Sequence, residues 1–210
     1  MVDIAPTFLR TLITDVLVAN EHLAAQDDQA HRRNFIRTTF AAIEGLVWLL
    51  RDHVLSVGTD MNYLSPLDTL ALQDLGYSVS EKGVLRKTPQ YQTLKTAIRY
   101  AMRQAREINP ALTIDYDATG WSNLAIAIDV RHRITHPKRA SDLIIEKKEL
   151  DATSSALNWL LATVEEAMQT TTAAFRAFND DSRALLKLLQ QGDPEALRLY
   201  HEFLNRSDPP

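Results

Sequence analysis

The chain has 210 residues and no cysteine, and its 23 Lys and Arg against 27 Asp and Glu give a formal net charge of −4 at neutral pH. The lack of cysteine excludes disulfides, thiolate metal sites and a cysteine nucleophile, and the acidic balance excludes a broadly basic, nucleic-acid-coating surface, so any contact with RNA or DNA has to be local. A hydrophobic share of 45% suits a globular chain with a substantial core, and only six glycines, with abundant Ala, Leu, Gln, Glu and Arg, favour helix.

In chain order, the first predicted helix covers 7–26. Asp3, Arg10 and Asp15 interrupt this N-terminal region, which argues against a signal-peptide core or a membrane span. A long second helix covers 28–57, where Phe35, Ile36, Phe40, Ile43, Val47, Leu50 and Val54 recur at helical spacings. Its apolar run FAAIEGLVWLL carries Glu44 in the middle and is too short to cross a bilayer. Ser65-Pro66 opens a short helix over 66–75 and Thr88-Pro89 opens another over 89–108, each Pro following a good N-cap residue. Between them 77–87 is strand-like, with Glu81-Lys82-Gly83 turning a small hairpin. Further helices are predicted over 119–133, over 147–178 with Leu150, Leu157, Leu160, Leu161, Val164 and Met168 on one face, and over 182–191 and 194–205. Gly58, Gly76 and Gly192 each follow a helical segment, where a left-handed C-cap is wanted. The expectation is an all-α bundle over 1–180 with a β-hairpin insertion near 77–87, and a C-terminal helical hairpin over 181–210 packed on it or appended to it. The expected setting is soluble and cytoplasmic, with no membrane partner.

The segment RHRITHPKR, 131–139, concentrates four fixed cations and two histidines in this acidic chain. Imidazole exchanges protons near neutral pH, and an arginine beside it holds phosphate through a planar fork of donors. On one continuous helix Arg131 and His136 would point about 140° apart, but Pro137 disfavours α geometry at His136 and predicts a helix end there. A terminus frees His136 to turn toward Arg131. The competing reading of Arg133, Lys138 and Arg139 is a set of cations favoured by a helix C-terminal dipole. Glu44 either anchors Arg131 or a histidine from behind or sits at a helix edge facing solvent; Arg37, about two turns earlier, joins that network or extends along the surface. His31-Arg32-Arg33 is expected to be a solvated helix face.

Other chemistries fit less well. His132 and His136 have zinc-pair spacing, but Arg133 stands where the general-base Glu of a HExxH site belongs and Pro137 breaks the helix. His201-Glu202 starts a similar run that ends in Asn205. A Gly-rich phosphate loop and a GxSxG elbow are both missing. No metal and no cofactor is therefore expected.

Arg131, the polar His132 directly after it, and His136 at the end of a helix ahead of another long helix resemble the motif of the HEPN (higher eukaryotes and prokaryotes nucleotide-binding) family, an Arg, four to six residues, then a His. The resemblance covers roughly 32–178. It implies a bundle of long antiparallel helices and a metal-independent endoribonuclease cleaving single-stranded RNA, with His136 as general acid or base, Arg131 stabilising the phosphate and His132 assisting. Glu44 and Arg37 would support the site, and Arg133, Lys138 and Arg139 would contact RNA. It further implies a homodimer that brings two motifs together, a toxin or defence role, and an antitoxin or other protein partner. The alternative is a catalytically inactive HEPN-like domain that binds nucleotide, RNA or a protein.

Overall fold

The structure, a computed structural model, describes residues 4–207, with side chains from 7 to 202. It is all-α: seven α-helices and one two-stranded antiparallel sheet occur among the described residues. Helix α1 (Ile4–Ala25) is followed by α2 (Gln29–Asp60), whose N-cap Asp28 accepts hydrogen bonds from the Ala30 and His31 amides. Such a cap is worth about 1 kcal/mol. Helix α2 is the central element and packs against α1, α3, α4, α5 and α6. Its inner face is apolar apart from Thr39: Ile36, Ile43, Leu46, Leu50 and Val54 are buried against Ile98 and Met102 of α4 (Leu94–Ile108), Leu124 and Ile134 of α5 (Thr119–Thr135), and Leu160 of α6 (Lys147–Gln190). Each such side chain contributes roughly 1.5–3 kcal/mol by leaving water, which explains why the periodic stripe foreseen in α2 dictates the bundle.

Helix α3 (Pro66–Leu72) ends three residues earlier than the spacing suggests, because Asp74 takes a left-handed φ of 53° and the chain turns into β1 (Leu75–Val79). Arg51 of α2 fixes this end by donating to the Leu72 carbonyl and the Asp74 carboxylate. Strand β1 pairs with β2 (Leu85–Pro89) in register Tyr77 to Lys87, and Gly83 (φ 72°) supplies the left-handed residue of the expected turn. Pro89 therefore closes a strand instead of opening a helix, and α4 starts five residues later behind the Thr93 N-cap. Its Tyr100 hydroxyl donates to Asp68 at 2.6 Å, a tie between α3 and α4; burial and that carboxylate push the phenol up to about 12.

Two further expectations are corrected. Gly58 is a buried residue inside α2 rather than a cap, whereas Gly192 has the left-handed φ of 74° expected of a helix stop. The helices foreseen at 147–178 and 182–191 are one continuous α6 of 44 residues, because nothing in Asn179-Asp180-Asp181 breaks a helix. Helix α7 (Pro194–Ser207) turns back onto the far end of α6. No helix among the described residues is long and apolar enough to cross a membrane.

Candidate functional site

Helix α5 carries the RHRITHPKR segment, and its buried face explains where those side chains point. Trp121, Leu124, Ala127, Val130 and Ile134 face the core, so the adjoining Arg131, His132 and Thr135 emerge at the surface. The helix stops at Thr135: His136 leaves α geometry (φ −125°, ψ 58°) immediately before Pro137, while its amide still closes onto the His132 carbonyl. The freed carbonyls of the last turn then need donors. Thr135 Oγ1 donates to the Arg131 carbonyl at 2.7 Å, and Arg37 reaches across from α2 to donate to the Ile134 carbonyl at 3.3 Å. Arg37 thus acts as a clamp on the end of the motif helix.

Arg131 is held from α2 by two residues one turn apart. Its Nη2 lies 3.1 Å from Glu44 Oε1, and its guanidinium sits 5.3 Å from the centre of the Phe40 ring. Only one of the five guanidinium donors is engaged by this carboxylate, leaving the others for an oxyanion. His132 and His136 are both exposed and meet edge to face, with ring centroids 5.4 Å apart. Two pairs are therefore seen at this end of α5, Arg131 with Glu44 of α2 and His132 with His136, and Trp48, 53% exposed, lies one turn beyond Glu44. No group of three or more His, Asp or Glu placed to hold a metal ion occurs among the described residues.

The basic residues that follow divide into two sets. Arg133 is engaged internally, donating to the Ile144 carbonyl at 3.0 Å and to Glu149 at 2.7 Å, so it secures the start of α6. Lys138 and Arg139 keep exposed side chains, while their amides donate to Asp142 Oδ2 at 2.8 and 3.0 Å. Those backbone donors, the Lys138 amide foremost, hold the Asp142 carboxyl below the usual carboxylate range.

The expectation of a solvated face at His31-Arg32-Arg33 is corrected. Arg32 donates to the Ile145 carbonyl at 2.8 Å while pairing with Asp27, and Arg33 donates to the Leu143 carbonyl at 2.9 Å. Gln29 completes the clamp by exchanging hydrogen bonds with both the amide and the carbonyl of Ile145. The first turn of α2 thereby fixes the α5–α6 connection, which includes the end of the motif. Sequence reading missed Gln29, Arg32, Arg33 and Asp142 as positioning residues. For Gln29, Arg32 and Arg33 the only signal was their place at a helix start, and the carbonyls and amide they hold lie more than 100 residues away; Asp142 acts locally, on amides three and four residues before it.

No family model, curated protein or solved structure matches this chain. The site's reading rests on its own residues and geometry.

Proposed function

We propose that the chain is a metal-independent endoribonuclease of HEPN type acting on single-stranded RNA in the cytoplasm. The observation that supports this reading is the arrangement of Arg131: Glu44 and Phe40 fix its guanidinium while most of its donors stay free, and two exposed imidazoles meet at the proline-broken end of the same helix. In the proposed reaction His136 takes the proton of a ribose 2′-hydroxyl, and the new alkoxide attacks the adjacent phosphorus. Arg131 neutralises charge on the phosphorane oxygens. The P–O5′ bond breaks, a protonated imidazole (His132 or a second copy's His136) returns a proton to the leaving oxygen, and the products end in 2′,3′-cyclic phosphate and 5′-hydroxyl. Lys138 and Arg139, two and three residues after His136 with exposed side chains, would contact flanking phosphates. Arg133, engaged with Glu149, serves the scaffold instead.

The patch lies on an outer helix surface, and a two-fold dimer through the α2–α5 face would turn two such patches into one cleft. Exposed Trp48, stacked edge-on with Phe8 at 5.7 Å, supplies an apolar anchor for that interface. A toxin or defence role, held in check by an antitoxin, fits an enzyme that degrades RNA. One observation favours the second reading, a catalytically silent domain that binds nucleotide, RNA or protein: Glu44 already neutralises part of the charge on Arg131.

Cleavage of a labelled single-stranded RNA, with and without EDTA, separates the two. The ribonuclease reading predicts EDTA-resistant cleavage that falls roughly 10²–10⁴-fold in His136→Ala, with a comparable loss in Arg131→Ala. Activity abolished by EDTA, or surviving both substitutions, refutes it. Growth arrest on expression, relieved by His136→Ala, would add the toxin assignment.

A further inference from the structure

Helix α4 presents a second chemistry that the Arg131–His136 patch does not use. Its inward face (Ala97, Ile98, Ala101, Met102, Ala105, Ile108) is buried, and its outward face carries Lys95, Arg99, Arg103 and Arg106. Spacings of four, four and three residues align these cations along one side of the helix, about 6 Å per step. The segment after α4 folds over to oppose them, and Arg99, Arg103 and Arg106 face Pro110, Ile114 and Tyr116 across a groove of about 640 Å³.

Two features set this face apart. None of the four cations makes an ion pair or a side-chain hydrogen bond among the described residues; Arg10, Arg86 and Arg176 share that property but lie on separate elements, whereas these four line one side of a single helix. The nearby carboxylates do not neutralise the row. Glu107 lines the groove without pairing, and Asp68, close enough to feel Arg103, is hydrogen-bonded by Ser65, Tyr100 and Gln104. Aromatic rings also hold two of the cations in place. Arg99 lies 5.3 Å from the Tyr116 ring centre and 5.2 Å from that of Trp121, and Lys95 lies 4.9 Å over Trp121. A cation placed over a ring is restrained while its N–H donors remain available.

We infer that the α4 groove binds the phosphate backbone of a single RNA strand, with Arg99, Arg103 and Arg106 contacting successive phosphates. A row of unpaired, partly restrained cations with an apolar opposite wall suits a sugar-phosphate chain: phosphates meet the guanidinium forks, and ribose and base faces meet Ile114 and Pro110. In a chain of net charge −4 this is a local basic footprint, the only kind that composition allows. The groove meets α5 at Trp121, ten residues and about 15 Å of helix from Arg131. The identity of the strand as RNA rests on the ribonuclease reading; the phosphate chemistry does not.

Fluorescence anisotropy of a 5′-fluorescein-labelled 12-nucleotide RNA, bound to the 210-residue chain carrying His136→Ala, tests this across a salt series. Arg99→Gln/Arg103→Gln/Arg106→Gln should weaken binding roughly tenfold or more and flatten the slope of log affinity against log salt by roughly 2. Arg10→Gln/Arg86→Gln/Arg176→Gln, which removes equal charge from exposed positions elsewhere, should leave both nearly unchanged. Arg103 and Arg106 are exposed and make no side-chain hydrogen bond, ion pair or ring contact among the described residues, so Arg103→Gln/Arg106→Gln keeps the test available if loss of Arg99 disturbs Tyr116 and Trp121. Unchanged binding in the groove variants, or equal losses in the control, overturns the inference. Displacement of RNA by tripolyphosphate at matched phosphate concentration would reassign the groove to small polyphosphates and overturn the RNA assignment. Cleavage by the otherwise unaltered chain is a separate readout: groove-dependent binding without cleavage sinks only the ribonuclease reading, and cleavage with no groove dependence sinks only this one.

Discussion

Replacing Gly120 by alanine tests how closely the motif helix sits on α6. Gly120 is buried in the first turn of α5, and a Cβ added there would lie 2.1 Å from Trp159 Cβ, 2.6 Å from Trp159 Cγ and 3.1 Å from the Ser155 carbonyl oxygen. The nearest of these is 1.3 Å inside the 3.4 Å at which ordinary contact begins. The obstacles are the stem of a tryptophan and a backbone oxygen, so relief requires α5 and α6 to separate rather than one side-chain end to swing away. Overpacking of this kind costs about 1–3 kcal/mol. The helix-propensity gain of alanine, at most about 1 kcal/mol in a helix interior, is smaller in a first turn. The expected net loss is about 2 kcal/mol, or a fall in Tm of about 4–8 °C for a chain of this size. Urea unfolding followed by tryptophan fluorescence reads it directly, because Trp121 and Trp159 lie 5.3 Å apart at this contact. Gly83→Ala is the contrast: nothing lies within 4 Å of its added Cβ, and only the left-handed φ opposes it, which costs about 1 kcal/mol with no change in tryptophan environment. A Gly120→Ala protein within about 0.5 kcal/mol of the parent would refute the close α5–α6 seating.

Three further outcomes follow from named contacts. Glu44→Gln should change unfolding free energy by less than about 1 kcal/mol, since the Glu44–Arg131 pair is half exposed, yet lower kcat of RNA cleavage roughly tenfold by loosening Arg131; unchanged kinetics would reduce Glu44 to a surface residue. Asp142 has a carboxyl held below its ordinary value by the Lys138 and Arg139 amides, so its stabilisation of that loop is fully present above the ordinary value and is lost as pH falls through the depressed one. Hydrogen exchange should therefore show both amides protected at about pH 5 and released only at more acidic pH than an ordinary Asp would allow, whereas Asp142→Ala should leave them unprotected throughout. Thr39 is fully buried with its hydroxyl unpaired, so the near-isosteric Thr39→Val should raise stability by about 1–2 kcal/mol in urea unfolding; a loss would mean the hydroxyl has a partner in solution.

The parts of the molecule that were legible in the sequence are those fixed by local chemistry. Helix α2 announced itself through one apolar face, the hairpin turn through Gly83, and the end of α5 through Pro137. The misplacements have a common cause. Thr88-Pro89 satisfies the local pattern of a helix start, but cross-strand pairing with Leu75 and Gly76 wins and delays α4 to Leu94. Asn179-Asp180-Asp181 favours a cap, yet without Gly or Pro the helix simply continues to Gln190. In the candidate site, the surface exposure of Arg131 and the exit of His136 from the helix could be read from Pro137 and the apolar face. The attachment of Arg37 to the Ile134 carbonyl and of Arg32 and Arg33 to the 143–145 connection could not, because those bonds join residues about 100 apart. The α4 cations form a visible helical row, but the groove appears only when Tyr116 and Ile114 fold opposite them.

The central claim is that the Arg131–His136 centre cleaves RNA through its own 2′-hydroxyl. Mass analysis of the products formed from a defined single-stranded RNA in EDTA tests it most directly, alongside the same sequence in 2′-O-methyl form. The account predicts fragments ending in 2′,3′-cyclic phosphate and 5′-hydroxyl from the parent protein, no cleavage of the 2′-O-methyl strand, and no such fragments from His136→Ala. Products with 5′-phosphate ends, or cleavage of the 2′-O-methyl strand, would contradict it.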